Sequence, residues 1–160
     1  MNYGIVGYSG RMGREIQEVF KDHHLCMTVD EGTEHVENIP EMIIDFSSFN
    51  ATFRTIELCR EHNAGLVIGT TALNPDHFGA LKDLSLSVPV IQSFNFSMGI
   101  NLLKMILKDF SEYFQDWDLA ITETHHVKKK DAPSGTAILL QETIGRKSDY
   151  LSLRLGGIPG

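Results

Sequence analysis

Short apolar runs alternate along the first half of the chain with stretches whose apolar residues recur at helical spacing. Residues 3–6 (YGIV) form an apolar run closed by Gly7, which predicts a strand. Residues 11–21 carry Met12, Ile16, Val19 and Phe20 at the spacing of one helical face. Strands are predicted at 25–29 (LCMTV), 42–46 (MIIDF), 65–69 (GLVIG) and 88–94 (VPVIQSF), with helices at 51–62 and from 74 to about 84. The second of these helices carries its own start signal, Asn74 as N-cap and Pro75 at the first helical position. The acidic stretch 31–41 reads as a solvated surface connection. Alternating strand and helix with near-continuous apolar strands predicts an α/β domain: a Rossmann-like parallel sheet with helices on both faces.

After Asn95 the pattern changes. Ser97 caps a predicted long helix at 98–114, followed by a partly alternating strand at 117–124, a polar loop, a helix near 135–145 and a strand at 150–155. The predicted division is a first domain at 1–96 and a partial α+β domain at 97–160. The second domain looks incomplete, since a two-stranded sheet exposes its edges and one apolar face. Either a partner chain completes it or further sequence does.

Charge and composition narrow the classes. The net charge of −7 is the wrong field for a general nucleic-acid or membrane-surface binder. No apolar run reaches the length of a membrane span, and the N-terminus lacks a secretory pattern, so the expected location is cytoplasmic. Cys26 and Cys59 are then expected as small buried apolar residues rather than a disulfide, nucleophile or metal pair.

Two motifs carry chemistry. The first is Gly7-Tyr8-Ser9-Gly10-Arg11-Met12-Gly13, between a strand and a helix. Gly7 permits a tight turn, Gly10 admits a pyrophosphate, and Gly13 lets the helix pack closely on the strand. The helix N-terminus supplies free N–H groups and partial positive charge. Asp30 ends the next strand, roughly 20 residues on, where a carboxylate accepts hydrogen bonds from ribose hydroxyls. Glu31 follows it and repels a 2′-phosphate, so NADH is favoured over NADPH, although Arg11 could reach such a phosphate. Gly69-Thr70-Thr71 and the segment 92–97 also follow strands, where ligands bind in open α/β sheets. Taken alone, 69–71 is as well explained by an ordinary turn, and Phe94 and Phe96 by core positions.

The second motif is the cation-rich run ETHHVKKKDAPSGTA, 123–137, in an acidic protein. Lys128, Lys129 and Lys130 alone could be a solvated loop. The APSGT segment argues for more: N–H groups of Gly135 and Thr136 with the hydroxyls of Ser134 and Thr136 make a carboxylate cradle at a helix start. A lysine crowded by cations gives up its proton more readily and can serve as a general acid. The stretch suits a small dianionic substrate that must be protonated. Adjacent His125 and His126 without a third nearby ligand do not match metal spacing, so no metal is expected.

Together, VGYSGRMG, IDFSS, VIGTTAL, FNFSMGIN, ETHHVKKKDAPSGTA and LRLGGIPG, in this order, resemble the 4-hydroxy-tetrahydrodipicolinate (dihydrodipicolinate) reductase family over essentially the whole chain. The resemblance implies reduction of the cyclic dihydrodipicolinate synthase product to tetrahydrodipicolinate with NADH or NADPH, on the diaminopimelate route to lysine. Carried over by position, Gly7, Tyr8, Ser9, Gly10, Arg11 and Met12 hold the pyrophosphate and Asp30 the adenosine ribose. Gly69, Thr70 and Thr71 with Ser93, Phe94, Asn95 and Phe96 line the nicotinamide end. His125 and Lys129 are the catalytic pair, Lys129 the proton donor, and His126, Lys129, Gly135 and Thr136 bind the substrate carboxylates. The resemblance further implies a homotetramer built on strands beyond those found here, so the chain reads as C-terminally truncated. It departs from the family in placing Glu31, rather than a neutral or basic residue, after the ribose-binding acid. The competing expectations are an inactive NAD(P)-binding fragment and a semialdehyde-type dehydrogenase, which needs a cysteine nucleophile.

Overall fold

A computed structural model of the chain describes residues 1–157; the end of the LRLGGIPG motif, 158–160, lies outside the described residues. The chain divides into two compact units, Met1–Phe94 and Asn95–Gly160. The first contains β1 (Asn2–Val6), α1 (Arg11–Val19), β2 (His24–Asp30), β3 (Thr33–Val36), β4 (Met42–Asp45), α2 (Thr52–His62), β5 (Gly65–Ile68), α3 (Pro75–Leu84) and β6 (Val90–Gln92). The second contains α4 (Met98–Asp109), β7 (Ala120–His126), α5 (Gly135–Ile144) and β8 (Asp149–Leu155).

In the first unit the strands form a six-stranded sheet in the order β3-β2-β1-β4-β5-β6. The order reverses between β1 and β4, which places the C-terminal ends of β1, β2 and β4 around one crevice. Neighbouring residues on a strand face opposite sides, and the core divides accordingly. Ile5 and Ile44 pack with Tyr3 and Ile16 of α1, whereas Val6 and Ile43 join Met27, Ile56, Leu66, Leu81 and Leu84. Helices therefore cover both faces. Asn74 caps α3 as expected: its side chain accepts the His77 N–H at 3.1 Å while the Asn74 N–H meets His77 Nδ1 at 3.2 Å.

Three expectations are corrected. The sheet is mixed, because part of 31–41 is the antiparallel strand β3, joined to β2 by a two-residue turn at Glu31-Gly32 with Gly32 at φ +75°. All four β3 residues are exposed, so no apolar alternation announced it. The buried stripe of α1 is Gly13 and Ile16, whereas Met12 and Val19 are exposed. The predicted helix 98–114 ends at Asp109 and continues as a short 3₁₀ turn, Ser111–Phe114. There the Ser111 hydroxyl donates to the Lys108 carbonyl, in competition with the backbone ladder.

In the second unit β7 and β8 pair in parallel, with α5 as the crossover. β7 begins later than predicted and includes both histidines. Arg146 holds the carbonyls of Phe114 and Trp117, which keeps the start of the predicted strand out of the sheet. Leu151, Leu153 and Leu155 alternate along β8 on an exposed side.

Candidate active site

The glycine loop is built as its sequence requires. Gly7 sits at φ +81°, and a Cβ there would lie 2.8 Å from the Cβ of Ser47. At Gly13 a Cβ would lie 2.4 Å from the carbonyl oxygens of both Gly7 and Tyr8. Gly10 caps α1 without a side-chain hydrogen bond, which leaves the first-turn N–H groups uncapped by any side chain. This is a cradle shaped for a phosphate, and it fits a dinucleotide pyrophosphate. Gly13→Ala must push the loop away from the helix. With overpacking at about 1–3 kcal/mol, NADH affinity is expected to fall about tenfold or more, measurable by fluorescence titration.

Asp30 ends β2 beside the loop, and its carboxylate accepts the Ser9 N–H at 3.1 and 3.2 Å. It lines a 430 Å³ cavity with Gly7, Glu31, Ser47, Ser48 and Arg54. Arg54 is held by three carboxylates: Glu34 through two bonds of 2.9 and 3.1 Å, Glu57 at 3.2 Å and Glu61 at 2.9 Å. Bonds to Glu34 and Glu61 raise the guanidinium pKa further above its ordinary value. The sequence reading missed Ser47, Ser48 and Arg54. The serines carry a signal, standing just past Phe46 after the buried strand β4 that ends in an acid; Arg54 lies inside a helix and carries none.

The loop after β5 differs from expectation in detail. The Thr70 side chain is buried and donates to Asp45 at 3.0 Å, so it faces inward. Gly69 has the Phe46 ring against it, 2.1 Å from where a Cβ would stand. Thr71 is exposed. Phe94 and Phe96 are exposed rather than core, Phe94 meeting the edge of Phe78 at 6.0 Å, and Ser93 donates its N–H to the Ile68 carbonyl.

In the second unit a 360 Å³ cavity is lined by Asn95, Glu123, His125, Ser134, Thr136 and apolar residues of α4 and α5. Glu123 and His125 stand two apart on β7 and share a side. His125 Nδ1 lies 2.8 Å from Glu123 Oε2, a close contact whose angle falls outside hydrogen-bond geometry. The other carboxylate oxygen accepts the Ser134 N–H at 3.2 Å and Arg154 Nη2 at 3.1 Å. Burial of Glu123 alone would raise its pKa, but bonds from Ser134, Ser152 and Arg154 outweigh it and hold the carboxyl down at about 2. Arg154 also donates to the carbonyls of Lys129 and Asp131, tying the polar loop to β8. Ser134 caps α5 by accepting the Ala137 N–H at 3.2 Å, and Asn95 Nδ2 donates to the Thr136 hydroxyl at 3.0 Å.

Lys129, which the sequence places among cations, is paired with an acid. Its Nζ lies 2.8 Å from Asp131 Oδ1. The Asp131 carboxyl is held below its usual range, first by Lys129 and further by the Gly135 N–H. Lys129, His126 and Gly135 are outside the cavity lining, which takes in His125, Ser134 and Thr136. Glu123 and Arg154 were missed by the sequence reading. Glu123 carries a signal, an acid two residues before a histidine in a strand.

No described helix is long and apolar enough to cross a membrane, and no group of three or more His, Cys, Asp or Glu among the described residues could hold a metal. Cys26 and Cys59 are buried, and burial pushes the Cys59 thiol up to about 12, which suits neither as a nucleophile.

The reversed sheet order and the glycine cradle at its crevice define the class, a Rossmann-type dinucleotide-binding protein with a second α/β unit. Two family profiles match, "Dihydrodipicolinate reductase, N-terminus" over residues 24–96 and "Dihydrodipicolinate reductase, C-terminus" over 99–160. The 4-hydroxy-tetrahydrodipicolinate reductase of Thermosipho africanus is 48% identical over the whole chain, which spans 75% of that relative. That of Rickettsia rickettsii is 39% identical over 92% of the chain, which spans 65% of it. The chain belongs to the 4-hydroxy-tetrahydrodipicolinate reductase family, a family of NAD(P)H-dependent oxidoreductases. The fold is shared with a dipicolinate-bound dihydrodipicolinate reductase from Paenisporosarcina sp. TG-14, at TM-score 0.77 and 23% identity over 98% of this chain and 79% of that one. It is shared more distantly with aspartate semialdehyde dehydrogenase II from Vibrio cholerae, at TM-score 0.52 and 11% identity over 99% and 69%.

Proposed function

We propose that this chain reduces 4-hydroxy-tetrahydrodipicolinate to tetrahydrodipicolinate with loss of water, in the diaminopimelate route of lysine biosynthesis, using NADH in preference to NADPH. The nicotinamide supplies the hydride. The uncapped first turn of α1 and the loop Gly7 to Met12 hold the pyrophosphate. Asp30, whose carboxylate keeps acceptor capacity beyond the Ser9 N–H, holds the adenosine ribose. Gly69, Thr71 and 93–96 border the nicotinamide, with Thr70 acting from inside the loop.

The substrate is a dicarboxylate, and one observation carries this assignment. The chain's own Asp131 carboxylate is already held by the Lys129 ammonium at 2.8 Å. A cation that captures an internal carboxylate suits a substrate carboxylate equally well. His126, Ser134, Gly135 and Thr136 complete that cradle. Lys129 donates the proton to the carbon beside the one that receives hydride, and His125, set by Glu123, shares the proton work.

Cofactor preference follows from charge. A 2′-phosphate in the 430 Å³ cavity meets Asp30 and Glu31, while the cavity's cation, Arg54, is bound to three carboxylates. In substrate-dependent oxidation assays KM for NADH is expected about tenfold or more below that for NADPH, since like-charge juxtaposition costs several kcal/mol. Glu31→Gln should narrow the gap, and a lower KM for NADPH in the unaltered chain would contradict the assignment. The exposed Leu151, Leu153 and Leu155 of β8 support assembly into a homotetramer. The biosynthetic role supports a cytoplasmic location.

A further inference from the structure

Asp45 takes no part in the chemistry above, yet it is a carboxylate with no exposed surface. It ends β4, beside β1, where the sheet order reverses. A buried carboxylate is costly unless fully hydrogen-bonded, and this one accepts from four donors. Oδ1 takes the Ser47 N–H at 2.9 Å, the Ser47 hydroxyl at 2.6 Å and the Thr70 hydroxyl at 3.0 Å; Oδ2 takes the Thr55 hydroxyl at 2.7 Å.

Two of the bonded residues stand at the two loops assigned to the nucleotide. Ser47 packs on Gly7, where its Cβ is 2.8 Å from the position a Gly7 Cβ would take. Thr70 is the middle residue of the loop after β5. Between Asp45 and Ser47 in sequence, the Phe46 ring closes on Gly69, 2.1 Å from its absent Cβ. Residues 45–47 thus touch both loops: Ser47 fixes the pyrophosphate turn, Phe46 fixes Gly69, and Asp45 ties Ser47 to Thr70. The third bonded residue, Thr55, lies on α2 and anchors the carboxylate from behind, its single hydroxyl proton also within reach of the Ala51 carbonyl at 3.1 Å.

We propose that Asp45 is a positioning residue for the nucleotide, setting the separation between the Gly7–Met12 loop and the Gly69–Thr71 loop through its bonds to Ser47 and Thr70. The proposal rests on the assignment of those two loops to the cofactor. It separates two threonines that share one carboxylate: Thr70 orders a cofactor loop, whereas Thr55 orders only a helix.

The test compares Thr70→Val, Thr55→Val and Asp45→Asn in the full chain by NADH titration, steady-state kinetics and thermal melts. Each valine removes one bond to the same oxygen pair at nearly constant volume. Thr70→Val is expected to weaken NADH binding about tenfold, with Thr70→Ser restoring it. Thr55→Val should lower Tm yet keep the NADH dissociation constant within about twofold of the unaltered chain, because its bond lies away from both loops. Asp45→Asn keeps one oxygen acceptor but loses the charge that strengthens its bonds, and should raise KM for NADH with little change in KM for substrate. Equal NADH affinity in Thr70→Val and Thr55→Val would overturn the proposal, even if Asp45→Asn failed to fold. An unaltered chain that binds no NADH would instead overturn the cofactor assignment, and this inference with it.

Discussion

Lys129→Ala is expected to lower kcat by about 10²–10⁴-fold, the range of a lost general acid, while NADH still binds. Lys129 stands in the loop that leads into α5, and it already engages a carboxylate at 2.8 Å. Its removal takes away both the proton donor and a charge that fixes the substrate, so KM for substrate should rise as well. The glycine loop belongs to the other compact unit, so NADH titration of the variant should match the unaltered chain. Retained turnover at the original rate would remove Lys129 from the mechanism and leave His125 as the donor.

The second large effect is expected at Glu123. One oxygen faces His125 Nδ1, and the other accepts from Ser134 and Arg154. Glu123→Gln keeps the volume but removes the charge that orients the imidazole and balances Arg154, which in turn holds the Lys129 and Asp131 carbonyls. A lost orienting partner of this kind costs about 10–100-fold in activity, seen here in kcat/KM for substrate rather than in NADH affinity. Glu123 also makes a pH prediction. Its carboxyl is held down at about 2 in the folded chain, against an ordinary value of 4.5. A depressed carboxyl contributes stability that is fully present above about pH 4.5 and is lost as pH falls toward 2. Acid unfolding followed by circular dichroism should lose that component in Glu123→Gln. Identical acid profiles would show that the carboxylate is not bonded as described.

Why some of this was legible in sequence follows from the type of signal each residue leaves. Strands buried on both faces leave unbroken apolar runs, so β1, β2, β4 and β5 could be read directly. The Asn74-Pro75 start of α3 was legible because capping is local chemistry. The exposed β3 was not, since TEHV has no buried side and is fixed by its pairing with β2. The α1 stripe was misread because Gly13 contributes close approach rather than apolar surface. Phe94 and Phe96 look like core residues by type but are exposed. At the candidate site the glycine loop and the 123–137 run were visible as motifs, Glu123 among them as an acid two residues before a histidine. The roles of Asp45 and Arg154 were not, because each acts on residues distant in sequence: Asp45 on Thr70, and Arg154 on Glu123 and the Lys129 carbonyl. Such roles arise from packing rather than from spacing.

The central claim is that a dinucleotide cradle and a carboxylate-holding acid loop in one chain reduce 4-hydroxy-tetrahydrodipicolinate. The most direct measurement is NADH oxidation by the purified 160-residue chain with freshly generated dihydrodipicolinate synthase product, its mass in solution recorded alongside. The account predicts NADH consumption that depends on that product and yields tetrahydrodipicolinate. A folded chain that binds NADH but consumes none when substrate is added would contradict it.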